Sequence, residues 1–255
     1  MQTSHVHHFT VTWLLTLLLL VTGCESGIGA LTESESGPPD AVSEAFTIRS
    51  SPGQEVAAGK AAIDDASVFT YADMTEVGAS RLVRTPNGVS YKFSTSGLQS
   101  GHAYTLWIVA FNNTDGCAFG SPGFSLCGPD DVVNDAARPD MMYAGGHVAG
   151  GSSVVTFAGR LNADDLSGSI NEPVGMPAYG LEDPQNAEIH LAVHDHGPKM
   201  GAYMPDMIKT IDGGCTDAGI PEAGAPSPWN QHEFGRQGPN TCSTIHFAVH
   251  SPDAL

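Results

Sequence analysis

The chain has 255 residues and carries 10 Lys plus Arg against 28 Asp plus Glu, a formal charge of −18. Affinity for nucleic acid or another polyanion comes from clustered cations, and this composition excludes that class of partner. A single-sign acidic surface instead keeps a protein dispersed and attracts divalent cations weakly.

In chain order, residues 9–21 form an uncharged apolar run. It is shorter than the roughly 20 residues that span a bilayer and has the size of an export signal's apolar core. His5, His7 and His8 precede it in place of Lys or Arg. The run closes on Val21-Thr22-Gly23-Cys24, which resembles the lipobox of bacterial lipoproteins. That resemblance implies a signal peptide over residues 1–23 and a lipid-modified Cys24, so the membrane is a partner through the N-terminal lipid. Glu25 rather than Asp follows the cysteine. By likeness to enteric lipoproteins this implies a cell-envelope anchor, at the outer membrane where the cell has one, with the domain in the periplasm or outside the cell. Residues 24–40 are small, acidic and aperiodic, the composition of a disordered tether. Residues 41–255 then read as a single domain.

The stretches 45–49, 67–71, 88–94, 102–111, 152–159, 187–194 and 244–250 are β-branched or aromatic and mostly alternate, the pattern of strands. Pro86-Asn87-Gly88 is a hairpin signal, and residues 97–101 form a second connection. Within 102–111, Tyr104, Trp107 and Phe111 alternate with Leu106 and Val109, which reads as a central strand buried on both faces. Only 204–210 and 130–137 suggest short helical turns. The expected fold is all-β: an antiparallel sandwich of Greek-key or jelly-roll type, with about seven to nine strands, long disulfide-closed loops and little helix.

Four cysteines follow Cys24, an even count in an exported chain, so disulfides are expected. The local pairing, Cys117 with Cys127 and Cys215 with Cys242, closes two turn-rich loops. Each bridge would stabilise the fold by about 3 kcal/mol on the chain-entropy estimate. A cysteine-based zinc site calls for CxxC-like spacing, which is absent.

Residues 88–112, Gly146-His-Val-Ala-Gly-Gly151, Glu188-Ile-His-Leu-Ala-Val-His-Asp-His-Gly-Pro198, Gly213-Gly-Cys215 and Phe247-Ala-Val-His250 together resemble a family of uncharacterised exported bacterial proteins. The likeness covers most of residues 80–250 and implies an exported β domain without assigning an activity. The rhythm of histidines beside strands is also similar to CHRD-type domains, which are compared with the copper-zinc superoxide dismutase sandwich. The dismutase ligand set, six histidines and an aspartate in fixed order, has no position-by-position counterpart here.

Histidines are the one constellation with chemistry. Strand alternation places His190, His194 and His196 on one face, and His246 and His250 together on one face. Residues four apart along a strand are about 13 Å from each other and cannot share an ion, whereas the His194-x-His196 spacing is a half-site for zinc or copper. A third ligand would come from His246, His250, His147 or His190, leaving an open position for a ligand or an activated water. The opposing reading makes these imidazoles structural, bonded to carbonyls or to carboxylates such as Glu188 and Asp195.

Other motifs carry less. The serines near 121 and 152 lack the Gly-x-Ser-x-Gly elbow, and no phosphate-loop lysine is present. The acidic stretch 129–140 lacks EF-hand spacing and reads as a solvated loop. Trp229, near His232 in the loop between Cys215 and Cys242, is placed to touch a ligand or partner. Two functions follow: an envelope binding or interaction module for a protein or matrix partner, and a histidine-rich copper or zinc protein with redox or hydrolytic chemistry. No catalytic residue is assigned.

Overall fold

A meander opens the domain: β1 (Ala62–Thr70), β2 (Glu76–Thr85) and β3 (Gly88–Ser96). Pro86 and Asn87 make the β2–β3 turn, with Thr85 opposite Gly88. Gly88 takes φ +137°, a value that side-chain-bearing residues rarely adopt. The chain continues through β4 (His102–Phe111), β5 (Pro139–Val148), β6 (Val154–Asn162), β7 (Glu188–Pro198) and β8 (Ser243–His250). This computed structural model describes residues 61–152, 154–216 and 234–252. They belong to one compact unit, Glu55–Leu255.

All eight strands form one antiparallel sheet in the order β5-β4-β7-β8-β1-β2-β3-β6, and its outer strands, β5 and β6, approach each other so that the sheet nearly closes. This near-closure leaves β5 and β6 as the two edge strands, lying close to each other. The all-β expectation therefore holds, with one curled sheet supplying both packed faces. The short helix α1 spans Met204–Met207, and residues 129–133 and 135–137 form 3-10 turns. Among the described residues no helix is long and apolar enough to cross a membrane. The strand expected at 45–49 lies outside the described residues.

The interior holds Val68, Leu82, Phe93, Leu106, Ile108, Phe157, Leu191, Val193 and Ala248. Even-numbered side chains of β4 point into it. Its odd-numbered ones face outward, where Trp107 packs with Ile170, Ile211 and Phe234, and Phe111 with Cys127 and Ala137. Both faces of β4 are buried, as its continuous apolar run implies.

Buried carboxylates hold the covering loops. Asp131, fully buried, accepts the N–H groups of Ala118, Phe119 and Gly128 and the Asn134 amide at 2.8–3.0 Å. Asp140, also fully buried, accepts the Ser169 hydroxyl at 2.6 Å and the N–H groups of Tyr179 and Gly180 at 2.7 and 2.5 Å. This corrects the reading of 129–140 as a solvated acidic loop: two of its carboxylates organise backbone that would otherwise be left unpaired. The disulfides are Cys117–Cys127 and Cys215–Cys242, the local pairing, with Cα separations of 5.1 and 5.5 Å.

β2 and β5 lack a strand pattern in the sequence. On β2 the inward positions include Ser80 and Arg84, both buried, so apolar alternation is broken. β5 begins with Pro139 and contains Gly145 and Gly146, turn formers elsewhere. A Cβ on Gly146 would lie 2.0 Å from the Ile208 carbonyl oxygen, so the glycine permits close approach of the covering loop.

Candidate metal centre

β7 carries the histidines, and its registers fix which way they point. Ile189, Leu191 and Val193 lie opposite Ala110, Ile108 and Leu106 of β4, and opposite His250, Ala248 and His246 of β8. Directly opposed residues share a face. His246 and His250 therefore look into the core, while His190 and His194 look outward beside Val109 and Thr105. The sheet itself separates the two groups.

His194 and His196 meet on the outer face, their rings 4.9 Å apart and edge-to-face. His194 is 6% exposed and His196 is fully buried. His196 Nε2 lies 2.8 Å from Thr105 Oγ1, which accepts the Trp107 Nε1–H at 2.8 Å, and His196 Nδ1 lies 2.9 Å from the Gly213 carbonyl oxygen. Burial pushes the His196 imidazole down to about 4, against the opposing pull of Gly213 and Asp195. It is neutral at neutral pH, the state in which imidazole ligates a metal.

The Cys215–Cys242 pair completes the cluster from the long excursion between β7 and β8. Cys215 Sγ is 3.6 Å from His196 Nδ1. One nitrogen from each histidine and both sulfurs lie within 4.8 Å of one another. In a tetrahedral zinc site with Zn–S about 2.3 Å and Zn–N about 2.0 Å, ligand atoms sit about 3.3–3.8 Å apart. The two sulfurs, bonded at 2.02 Å, are closer than that edge, so a four-ligand set requires the S–S bond to open. Sequence reasoning missed the two cysteines here because they are 27 residues apart and only the fold brings them to the His-x-His pair.

The other histidines go elsewhere. His190 Nε2 is 2.8 Å from Glu188 Oε1 and its ring packs on Phe111. His102 Nδ1 is 3.1 Å from Asp195. His246 Nδ1 is 2.9 Å from Thr95 Oγ1, its imidazole pushed down by burial. His147 is exposed near the end of β5, its ring 6.1 Å from that of Phe157. None of His147, His190, His246 and His250 joins His194 and His196. Cys24, Trp229 and His232 lie outside the described residues.

Two further groupings look chemical and are structural. His250 Nε2 is 2.8 Å from Ser80 Oγ, and its Nδ1 is 3.2 Å from Asp64 Oδ2, a Ser-His-Asp row. Ser80 is 2% exposed and faces the core opposite Phe93. β2 pairs on both sides, so its amides serve the sheet rather than an oxyanion. Cys117, Cys127 and Asp131 also cluster. Each Asp131 oxygen already accepts two hydrogen bonds, which uses the acceptor capacity a cation would need.

Beside the centre, a cleft of about 510 Å³ is lined by Trp107, Tyr143, Leu166, Ile170 and Pro173, with Glu172 and Lys209 contributing its charged groups. Comparison of the chain with protein-family models, with curated proteins and with solved structures returns no match.

Proposed function

We propose that this chain is a lipid-tethered envelope binding module whose ligand is a transition-metal ion, zinc or copper, bound at His194 and His196. The observation that carries the reading is the convergence of two imidazole nitrogens and two sulfurs within 4.8 Å on the outer face of β7. Thr105 and Trp107 support it, since metal-bound histidines are oriented by a hydrogen bond to their second nitrogen. The burial of His194 and His196, 6% and 0% exposed, suits holding an ion rather than presenting it to a substrate. The neighbouring cleft is a weaker basis for function, because a small-molecule site needs several convergent polar groups and this lining is mainly apolar. The lipobox at Cys24 and the paired cysteines support the envelope address.

The test is equilibrium dialysis of full-length, untagged protein against Zn(II) and Cu(II), each with disulfide-form and dithiol-reduced protein. One equivalent bound in at least one of these conditions, weakened 100-fold or more by His194→Ala/His196→Ala and unchanged by His147→Ala, is expected. Equal, weak retention by wild type and double variant in every condition overturns the reading. The anchor is tested separately: labelling with a palmitate analogue should be abolished by Cys24→Ser.

A further inference from the structure

Resting on that reading, we infer that the Cys215–Cys242 bond gates the metal: the disulfide form withholds two of the four ligands, and the dithiol form completes a Cys2His2 site with His194 and His196. The ion class is the borderline-soft divalent cations that tetrahedral thiolate-imidazole sites select, zinc above all.

The argument begins with what keeps the cysteines in place. Thr216 N–H donates to the Asn240 carbonyl at 2.7 Å, Asn240 N–H to the Gly214 carbonyl at 3.0 Å, and Gly238 N–H to the Cys215 carbonyl at 2.8 Å. The Asn240 side-chain amide donates to the carbonyls of His196 at 2.7 Å and Pro198 at 3.0 Å. These bonds clamp residues 214–216, residues 238–240 and the end of β7 to one another without using the sulfurs. Cys242 is further fixed by β8, which starts at the next residue and pairs with both β7 and β1. Breaking the S–S bond therefore leaves both sulfurs beside the imidazoles, free to separate to the tetrahedral edge of about 3.8 Å.

Access is asymmetric. Cys215 is fully buried, whereas Cys242 is half-buried. An incoming thiolate meets the Cys242 sulfur first, and Cys215 leaves as the thiolate nearest His196. The reductant is a dithiol, protein or small molecule. It supplies two electrons and two protons and becomes a disulfide, while Cys215 and Cys242 become thiols. Binding of M(II) then displaces both thiol protons, with no change in the metal's oxidation state. At His196, Nδ1 is the atom nearer sulfur, so ligation there exchanges its bond to the Gly213 carbonyl for the metal. Nε2 then carries the proton and donates to Thr105 Oγ1.

The experiment uses full-length protein carrying Cys117→Ser/Cys127→Ser, so that only the second bridge responds to reductant. Zn(II) affinity is measured by competition with a chromophoric chelator in the disulfide form and after dithiol reduction, and Co(II) absorption reports thiolate ligation. We expect at least 100-fold tighter, one-to-one binding when reduced, a tetrahedral sulfur-ligated Co(II) spectrum, and stoichiometric zinc release on reoxidation. Adding Cys215→Ser/Cys242→Ser should return the affinity to that of the disulfide form, and adding His194→Ala/His196→Ala should weaken the reduced form 100-fold or more. Equal affinity in both redox forms, still sensitive to the histidines, overturns the gate and leaves metal binding standing. Absence of binding in both forms removes the metal reading as well. Binding by reduced protein that ignores the histidines, or loss of the β circular-dichroism signal on reduction, also overturns the gate. If the first bridge proves necessary for folding, the comparison is made in wild type, where zinc release on reoxidation and the two variants of the second site decide the same question.

Discussion

Glu188, at the start of β7, accepts the Cys127 N–H of the first disulfide loop on Oε1 at 2.9 Å. The same carboxylate takes the Leu126 N–H at 2.8 Å and the Ser251 hydroxyl at 2.6 Å on Oε2, and His190 Nε2 lies 2.8 Å from Oε1. One fully buried carboxylate thus ties a loop, a strand and the residue after β8 together.

Glu188→Gln replaces an acceptor oxygen by an NH2 group facing another donor, and is expected to cost about 2–4 kcal/mol. The pH dependence follows from its lowered pKa. Burial is the largest influence and raises it, but the bonds from His190, Ser251 and Leu126 bring the carboxyl below its ordinary value of 4.5. A carboxyl depressed in the folded state contributes stability above its unfolded pKa and loses it as pH falls through the folded value. Wild type should therefore lose more stability than Glu188→Gln on acidification from about pH 5 to pH 3. Urea midpoints that fall in parallel would contradict this.

Gly146 and Gly150 test the close packing of the covering loop over β5. A Cβ on Gly146 meets the Ile208 carbonyl oxygen at 2.0 Å, whereas one on Gly150 meets nothing within 4 Å. Gly146→Ala should cost about 2 kcal/mol or more and Gly150→Ala less than about 0.5 kcal/mol, read by thermal or urea unfolding. Equal effects would mean that the loop yields freely.

Ser80, despite its 2.8 Å contact with His250, should be inert to a fluorophosphonate probe in the folded protein, because its hydroxyl faces the core. Labelling of native protein that disappears in Ser80→Ala would establish a reactive serine and refute the structural assignment. Ser80→Ala should instead cost about 1–3 kcal/mol of stability, the cost of leaving a buried His250 nitrogen without its partner.

Thr105→Val removes both the acceptor of the Trp107 indole N–H and the partner of His196 Nε2. The expected loss is about 1–3 kcal/mol in stability and 10- to 100-fold in zinc affinity of the reduced protein. Unchanged affinity in a folded variant would show that Thr105 does not orient the imidazole.

Much of the fold was legible. The apolar run of β4 announced a strand buried on both sides, Pro86-Asn87-Gly88 announced its hairpin, and the even number of cysteines with turn-rich loops announced the bridges. β2 was not legible, because Ser80 and Arg84 occupy inward positions where patterning looks for aliphatic side chains. Asp131 and Asp140 misled for a related reason: composition counts a carboxylate as surface, but five N–H groups satisfied by two buried carboxylates make them part of the interior.

The metal centre divides the same way. Period-two alternation is a local property of the chain, so the sequence alone determined that His190, His194 and His196 share a face and that His246 and His250 share one. Which face each set occupies was decided only by the curled sheet, whose registers put the second set inside. The meeting of Cys215 and Cys242 with His194 and His196 was also decided there. Proximity across 27 residues depends on how a long excursion packs back onto β7, and on the Asn240 contacts that hold it, none of which a spacing rule records.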